Sequence, residues 1–377
     1  MSEPTILVDL LYFTGKRGGT ETYLRQVVTR LPNLMPGVRF HAVTNRVGDE
    51  RVRGFFPGDV TCVRAVGEDV IAWPLGEVFA VQRVAARVGA SAVWCPANVG
   101  PQRGKVPVVL TLHDVIYHSA RSRGIAGAKR RVVARLIAGT ARSAAAVMTD
   151  SEAAADEIVR YIQLDREAID VVLLGAEPPT PVAVSDNALE GLGMVSGRPV
   201  LLSTGNRMPH KNFDGLLRAI AAMPARMRPL TVITGSHGED PLKRIVDELG
   251  LADDVLLLGW VTKEQLEALY QVASVYACPS LVEGFGLPVI DAMSRGCVVV
   301  ANDVAVLREV GGDAARYADA TSPTDFAAEI TAALADEQRA ERVGRGRSYA
   351  AEFTWDRTAA HVAAHLQRVA ASEARYS

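Results

Sequence analysis

Short apolar strands alternate with longer helical patterns along this chain, and the alternation runs twice. That rhythm limits the fold more than any other feature. Ile6 to Leu11 reads as a first strand, and Thr20 to Leu31 sets Tyr23, Leu24, Val27, Val28 and Leu31 at helical spacing. Val106 to Leu112 is a continuous apolar run, as a buried parallel strand requires, and Ala145 to Thr149 and Ile169 to Leu173 read alike. From Gly175 to Pro199 the rhythm breaks, with Pro178, Pro179, Pro181 and Pro199 beside Gly191, Gly193 and Gly197. It then restarts: strand Val200 to Thr204, helix Asn212 to Met223, strand Leu230 to Thr234, helix Leu242 to Leu249. Strand Val255 to Leu258, helix Lys263 to Gln271 and strand Val275 to Ala277 follow. The expected fold is α/β, with two Rossmann-like, doubly wound parallel sheets. Its expected parts are residues 1–178, a linker 179–198, a second domain 199–354 and a terminal helix 355–377. A length of 377 residues exceeds what one core usually holds, which agrees with two domains. Ligands of such sheets bind at the carboxyl ends of the strands, and an interdomain cleft is the expected place.

The residues suited to chemistry follow those strand ends. In Glu283-Gly284-Phe285-Gly286-Leu287-Pro288-Val289-Ile290-Asp291, two acids stand eight positions apart around a glycine turn. Gly284 and Gly286 allow close backbone approach. The residues from Pro288 to Ser294 start a helix, with proline suited to its first turn. The free amides there, near Gly286 and Leu287, suit a diphosphate. Glu283 precedes the turn, and Asp291 lies about one turn into the helix. Gly205-Asn206-Arg207-Met208-Pro209-His210-Lys211-Asn212 ends another strand, where Lys meets a diphosphate as a point charge and Arg as a fork. Gly18 and Gly19 open a helix after the first strand. His113-Asp114 closes the apolar run Val106 to Leu112. A zinc reading of His113, Asp114 and His118 is disfavoured, because no clear further ligand accompanies them. Trp260 and Val261, after Gly259, could meet a base, though a packed tryptophan reads equally well. Ser151 reads as a helix N-cap.

Pro279-Ser280-x-x-Glu283-Gly284-Phe285-Gly286-Leu287-Pro288 with Asp291 resembles the Glu-x7-Glu signature of retaining glycosyltransferases of the GT-B fold, family 4. Gly18, Gly19, Glu21 and Tyr23 match the family's Gly-Gly-x-Glu-x-Tyr, and Pro209-x-Lys211-Asn212 resembles its mannosyltransferase branch. The resemblance implies a nucleotide diphosphate sugar as donor. It makes Glu283 and His113 the catalytic pair beside the transferred sugar. It also implies donor contacts from Gly18, Gly19, Asn206, Arg207, Lys211, Trp260, Val261, Gly284, Phe285, Gly286, Leu287 and Asp291. Two departures stand out. Asp291 replaces the usual second Glu, and Asn206 stands where Arg commonly follows the glycine. The implied scheme is metal-independent and needs no cofactor. The implied acceptor is a glycan, a lipid-linked sugar or a small molecule. A sugar-nucleotide epimerase, another GT-B enzyme and a non-catalytic sugar-nucleotide-binding subunit remain alternatives.

Composition narrows the classes. Hydrophobic residues make 49% of the chain and charged ones 22%, as in a soluble globular protein. Lys plus Arg number 41 against 43 acids, a formal charge of −2, so nucleic acid is not an expected partner. Cys62, Cys95, Cys278 and Cys297 form no Cys-x-x-Cys pair, which suggests a reducing, cytoplasmic compartment. No signal peptide or membrane-spanning run is expected. Between Val115 and Thr149 there is no acid, while Arg121, Arg123, Lys129, Arg130, Arg131, Arg135 and Arg142 accumulate. This stretch is an expected peripheral contact with an anionic membrane.

Overall fold

The computed structural model describes residues 3–15, 18–66, 72–119, 124–180 and 197–373. Two compact units form, one from Met1–Gly175 with Thr354–Ser377, the other from Ala176–Phe353. In the first unit the strands are β1 (Thr5–Leu10), β2 (Arg39–Asn45), β3 (Asp59–Val63), β4 (Ala90–Cys95), β5 (Val108–Thr111), β6 (Ala146–Thr149) and β7 (Ile169–Val171). They make one sheet in the order β3-β2-β1-β4-β5-β6-β7. Every pairing is parallel. The strand order reverses between β1 and β4, where an open α/β sheet leaves a crevice.

The second unit repeats the plan. Its strands are β8 (Val200–Thr204), β9 (Leu230–Ser236), β10 (Val255–Gly259), β11 (Ala273–Cys278), β12 (Val298–Asn302) and β13 (Arg316–Ala318). They order as β10-β9-β8-β11-β12-β13, again all parallel. The reversal falls between β8 and β11. Each unit has its own apolar core: Leu7, Val93, Leu110, Ile137 and Ile158 in the first, Leu201, Leu216, Ile233, Val275 and Ile330 in the second. Burial on both faces explains why the strands read as continuous apolar runs.

Five strands were not foreseen. β2 (RFHAVTN) mixes polar and apolar residues, and the edge strand β3 is only half-buried. β4 (ASAVWC) and β12 (VVVAN) are apolar runs of ordinary strand length that were passed over, and β13 has only three residues. The helix expected from Thr20 to Leu31 ends sooner, at Gly18–Val28, and a separate turn Leu31–Leu34 follows. Pro32 near the start of that turn has no N–H to continue the longer helix.

The terminal helix Trp355–Glu373 belongs to the first unit. Trp355 packs 6.4 Å from Tyr23, Arg30 Nε donates to Asp356 at 2.6 Å, and Thr358 Oγ1 donates to the Leu173 carbonyl at 2.8 Å. Residues 181–196 of the expected linker, Arg121 and Arg123 lie outside the described residues. Among those described, no helix is long and apolar enough to cross a membrane.

Candidate active site

In the second unit the chemistry-bearing loops flank the point where strand order reverses. β8 ends at Thr204 and feeds the turn Pro209–Lys211, while β11 ends at Cys278 and leads to Glu283. Lys211 Nζ donates to Glu283 Oε1 at 2.7 Å, with side chains 16% and 12% exposed. Three bonds hold the loops in register. Leu281 N donates to the His210 carbonyl at 2.7 Å, and Asn212 Nδ2 donates to the carbonyls of Pro279 (3.2 Å) and Ala320 (3.0 Å). Asn212 sits in the left-handed region at φ 52°, which asparagine tolerates better than most residues. Its role as a strut between three strand ends was not read from the sequence.

The helix after Glu283 runs Leu287–Ser294, with Pro at its start and Gly286 as its N-cap at φ 105°. No side chain caps it, Val289 N donates to the Gly286 carbonyl at 2.8 Å, and the helix dipole places partial positive charge at this end. A side chain at Gly286 would be strained by that φ, and its Cβ would lie 3.0 Å from Leu307. Phe285 is buried against Phe353, ring centroids 6.0 Å apart, so a ligand can meet only its backbone. Asp291 points from the second turn. Its Oδ1 accepts from Glu177 N at 3.3 Å and from Arg295 Nη1 at 3.4 Å. Burial pushes its carboxyl up to about 6, against the pull of Arg295 and the Glu177 amide.

Arg207 is held by the fold itself. Its Nε donates to both Asp240 oxygens at 3.1 Å and its Nη2 to Oδ2 at 2.7 Å. Nη1 donates to the carbonyls of Gly205 (2.8 Å) and Thr234 (3.1 Å), and the guanidinium lies 5.0 Å over the Phe213 ring. With the side chain 7% exposed and its donors occupied, Arg207 binds the loops after β8 and β9 together. Asn206 uses its Oδ1 to accept from Met208 N at 3.3 Å. Trp260, 59% exposed after β10, stacks on His237 at 5.0 Å and 10°. Val261 is half-buried beside it.

In the first unit the polar residues close on one another. His113, after β5, has its backbone N bound to Asn98 Oδ1 at 2.7 Å. Its Nδ1 lies 2.7 Å from Asp150 Oδ2, at the end of β6, and its Nε2 lies 2.9 Å from the Pro96 carbonyl. A carbonyl only accepts, so Nε2 carries a proton. Burial pulls the imidazole pKa down, but Asp150 and the Pro96 carbonyl outweigh it and hold the ring above its ordinary 6.5. Burial likewise raises Asp150, against the pull of His113. A direct imidazole hydrogen bond to a sugar is therefore not what this geometry offers. Tyr23 meets the ring edge-on at 4.9 Å and shares Thr111 Oγ1 with Trp94 Nε1, each at 3.1 Å. Asp150 was missed, although the neighbouring Ser151 caps its helix as expected, accepting from Ala154 N at 3.0 Å.

Gly18 and Gly19 open the helix Gly18–Val28 and are exposed. Glu21 of that helix turns back, its Oε1 accepting from Thr14 N and Gly15 N at 2.9 Å each. The acid of the Gly-Gly-x-Glu stretch thus shapes the loop. Lys16 and Arg17 lie outside the described residues. Asp9 is buried in β1, where it accepts from Leu11 N at 3.1 Å, and burial lifts its carboxyl to about 7. A groove of about 530 Å³ lies before β8, near Arg198, Arg228 and Asp254. Both arginines close on Asp254, at 2.7 and 3.0 Å, so their charge is spent on the fold.

Comparison with known proteins adds a further finding. Residues 17–178 match the family described as Glycosyltransferase Family 4, and residues 185–347 match Glycosyl transferases group 1. O-antigen chain mannosyltransferase B of Escherichia coli is 37% identical over 160 residues, covering 41% of this chain and 42% of that protein. D-inositol 3-phosphate glycosyltransferase of Nocardia farcinica is 30% identical over 295 residues, covering 71% of this chain and 63% of the relative. The chain thus spans less than two thirds of the length of these curated relatives. Sucrose-phosphate synthase of Thermosynechococcus elongatus superposes with a TM-score of 0.78 at 18% identity, over 98% of this chain and 100% of that one.

Proposed function

Because this chain belongs to the GT-B glycosyltransferases, with a Glycosyltransferase Family 4 half followed by a group 1 half, we propose that it is a retaining enzyme using a nucleotide diphosphate sugar. The transferred unit is a hexose, with mannose from GDP-mannose the first choice. That choice follows the Pro209-x-Lys211-Asn212 wording and the similarity to a mannosyltransferase. The acceptor is a glycan, a lipid-linked sugar or a small molecule. The observation that carries the reading is the Lys211–Glu283 pair at 2.7 Å beside the uncapped helix Leu287–Ser294.

In the reaction the bond between the anomeric carbon and the diphosphate oxygen breaks, and the electron pair leaves with the nucleoside diphosphate. The acceptor oxygen bonds the anomeric carbon, and its proton ends on the leaving phosphate or on solvent. Lys211 and the amides near Gly286 and Leu287 stabilise the charge that develops on the leaving group. Glu283 fixes the ammonium and accepts from the sugar's hydroxyls. Asp291 accepts from the ribose, and Trp260 stacks on the base. Positive charge and helix dipole do the work of a cation, so no metal or cofactor enters the scheme and a chelator should leave the rate unchanged. Arg207 and His113 act by placing loops.

The test pairs nucleotide binding with product analysis. Purified protein should be stabilised by GDP or another nucleoside diphosphate. It should release nucleotide from the donor only with acceptor, and give a product of the donor's anomeric configuration by NMR. No affinity for any nucleoside diphosphate would overturn the reading. Conversion of donor without acceptor would point to an epimerase, and binding without turnover to a non-catalytic subunit.

An anionic membrane is proposed as a further partner, with the protein in the cytoplasm and peripheral on the membrane's inner face. Between Glu77 and Asp150 the sole acid is Asp114, against eleven Lys and Arg, in a chain of net charge −2. On the helix Gly124–Ser143 the exposed side chains include Lys129, Arg131, Arg135 and the apolar Val132. Basic groups interleaved with apolar ones suit adsorption to acidic lipid. Vesicle co-sedimentation checks it, since equal binding to neutral and acidic vesicles would remove the idea.

A further inference from the structure

Arg295 lies one turn beyond Asp291, with its side chain 5% exposed. Its Nε donates to Glu267 Oε2 at 2.8 Å. Its Nη1 lies 3.1 Å from the Asp291 carbonyl, 3.4 Å from Asp291 Oδ1 and 3.3 Å from the Glu177 carbonyl. The guanidinium stacks 5.1 Å over Tyr270. Glu177 N completes the set, donating to the same Asp291 Oδ1 at 3.3 Å. Both donors on Asp291 therefore fall on one oxygen. The other oxygen receives no hydrogen bond from the described residues, and the side chain keeps 27% of its exposure.

This asymmetry has a consequence for a carboxylate one methylene shorter than the usual Glu. A short acid on a helix reaches a ligand only if its rotamer is held. It accepts strongly only if it stays ionised, because charged hydrogen bonds are the strong ones. We propose that Arg295, itself locked by Glu267, is the positioning residue that holds Asp291 with one oxygen open to the vicinal hydroxyls of a nucleoside ribose. The proposal rests on the nucleotide-sugar reading. Arg295 also supplies the nearest positive charge. Burial favours the protonated form of Asp291, and Glu177 and Glu267 on neighbouring segments act in the same direction.

The test is calorimetric titration with GDP and UDP, each beside its 2′-deoxy counterpart. The wild type should bind a ribonucleotide about tenfold more tightly than the deoxy analogue, the value of one charge-assisted hydrogen bond. Arg295→Met should bind both within about threefold, and Arg295→Lys should recover part of the preference. Because Arg295→Met leaves the buried Glu267 without its cation, the double variant Arg295→Met/Glu267→Met provides the same reading if the single one fails to fold. A merely structural Arg295 would weaken both nucleotides equally and keep the ratio, which would overturn the proposal. A wild type that binds nucleotide without preferring ribose would overturn it as well. A wild type that binds no nucleotide would instead bring down the functional reading beneath it.

Discussion

The two units carry the same parallel-sheet plan, and both place polar side chains at the carboxyl ends of their strands, yet they use them differently. In the first unit His113 gives both ring nitrogens to Asp150 and the Pro96 carbonyl. In the second, Lys211 pairs with Glu283, and both side chains stay partly exposed. The difference follows strand order. His113 and Asp150 end neighbours β5 and β6, which advance in one direction, and their side chains are 10% and 4% exposed. Lys211 and Glu283 follow β8 and β11, neighbours on either side of the reversal, where the connections diverge and leave the strand ends open. The same contrast separates Arg207 from Lys211 within one loop. Arg207 closes on Asp240 and backbone carbonyls at 7% exposure, while Lys211 pairs with Glu283 at 16%.

The strongest way to break the comparison is His113→Ala. If the first-unit network is structural, Asp150 becomes a buried carboxylate without a partner, and stability should fall by about 3–5 kcal/mol. Thermal and urea unfolding measure it; an unchanged midpoint with lost activity would make His113 a ligand-binding residue after all. Next comes Lys211→Ala. Turnover of the donor should drop about 10²–10³-fold, the usual cost of one group that meets developing charge. The melting temperature should move far less than for His113→Ala, because Glu283 can regain water. Near-normal turnover would contradict the assignment.

A pH series sharpens the contrast further. Asp9 and Asp291 both titrate above the ordinary 3.8, at about 7 and about 6. The folded protein thus binds these protons more tightly than the unfolded chain. Each ionised carboxylate lowers stability above its folded value, and that cost fades as pH falls towards the unfolded value. Asp9→Asn should flatten the stability curve between about pH 7 and 4 and leave nucleotide affinity unchanged. Asp291→Asn should remove the decline in nucleotide affinity expected below about pH 6 in the wild type. Identical pH profiles for both variants and the wild type would erase the distinction. The smallest effect is expected from Trp260→Ala, a several-fold loss of nucleotide affinity from one lost stacking surface, read by calorimetry. No change would leave Trp260 and His237 as a surface pair without a ligand.

Much of the second unit was legible. The run Glu283 to Asp291 announces turn and helix by its residues, and the structure shows Gly286 at φ 105° and the helix Leu287–Ser294 behind it. Lys211 and Glu283 were separate candidates and prove to be partners. Less of the first unit could be read. Asp150 sits 37 residues from His113, and only the adjacency of β5 and β6 brings them together. Glu21 belonged to a recognised stretch, but its bonds to Thr14 and Gly15 depend on how the loop folds back. The pairing of Arg207 could not be read, because its sequence neighbourhood shows a cation and hides Asp240, 33 positions away.

Local pattern alone determined most of the strands and helices, the glycine turn and the short list of charged residues, because period and turn chemistry act within a few residues. Tertiary structure decided which charges remain available. A guanidinium, an imidazole and an ammonium look alike as candidates in a sequence. Their fates depend on how many acceptors the folded chain brings within about 3 Å, the range at which a hydrogen bond forms.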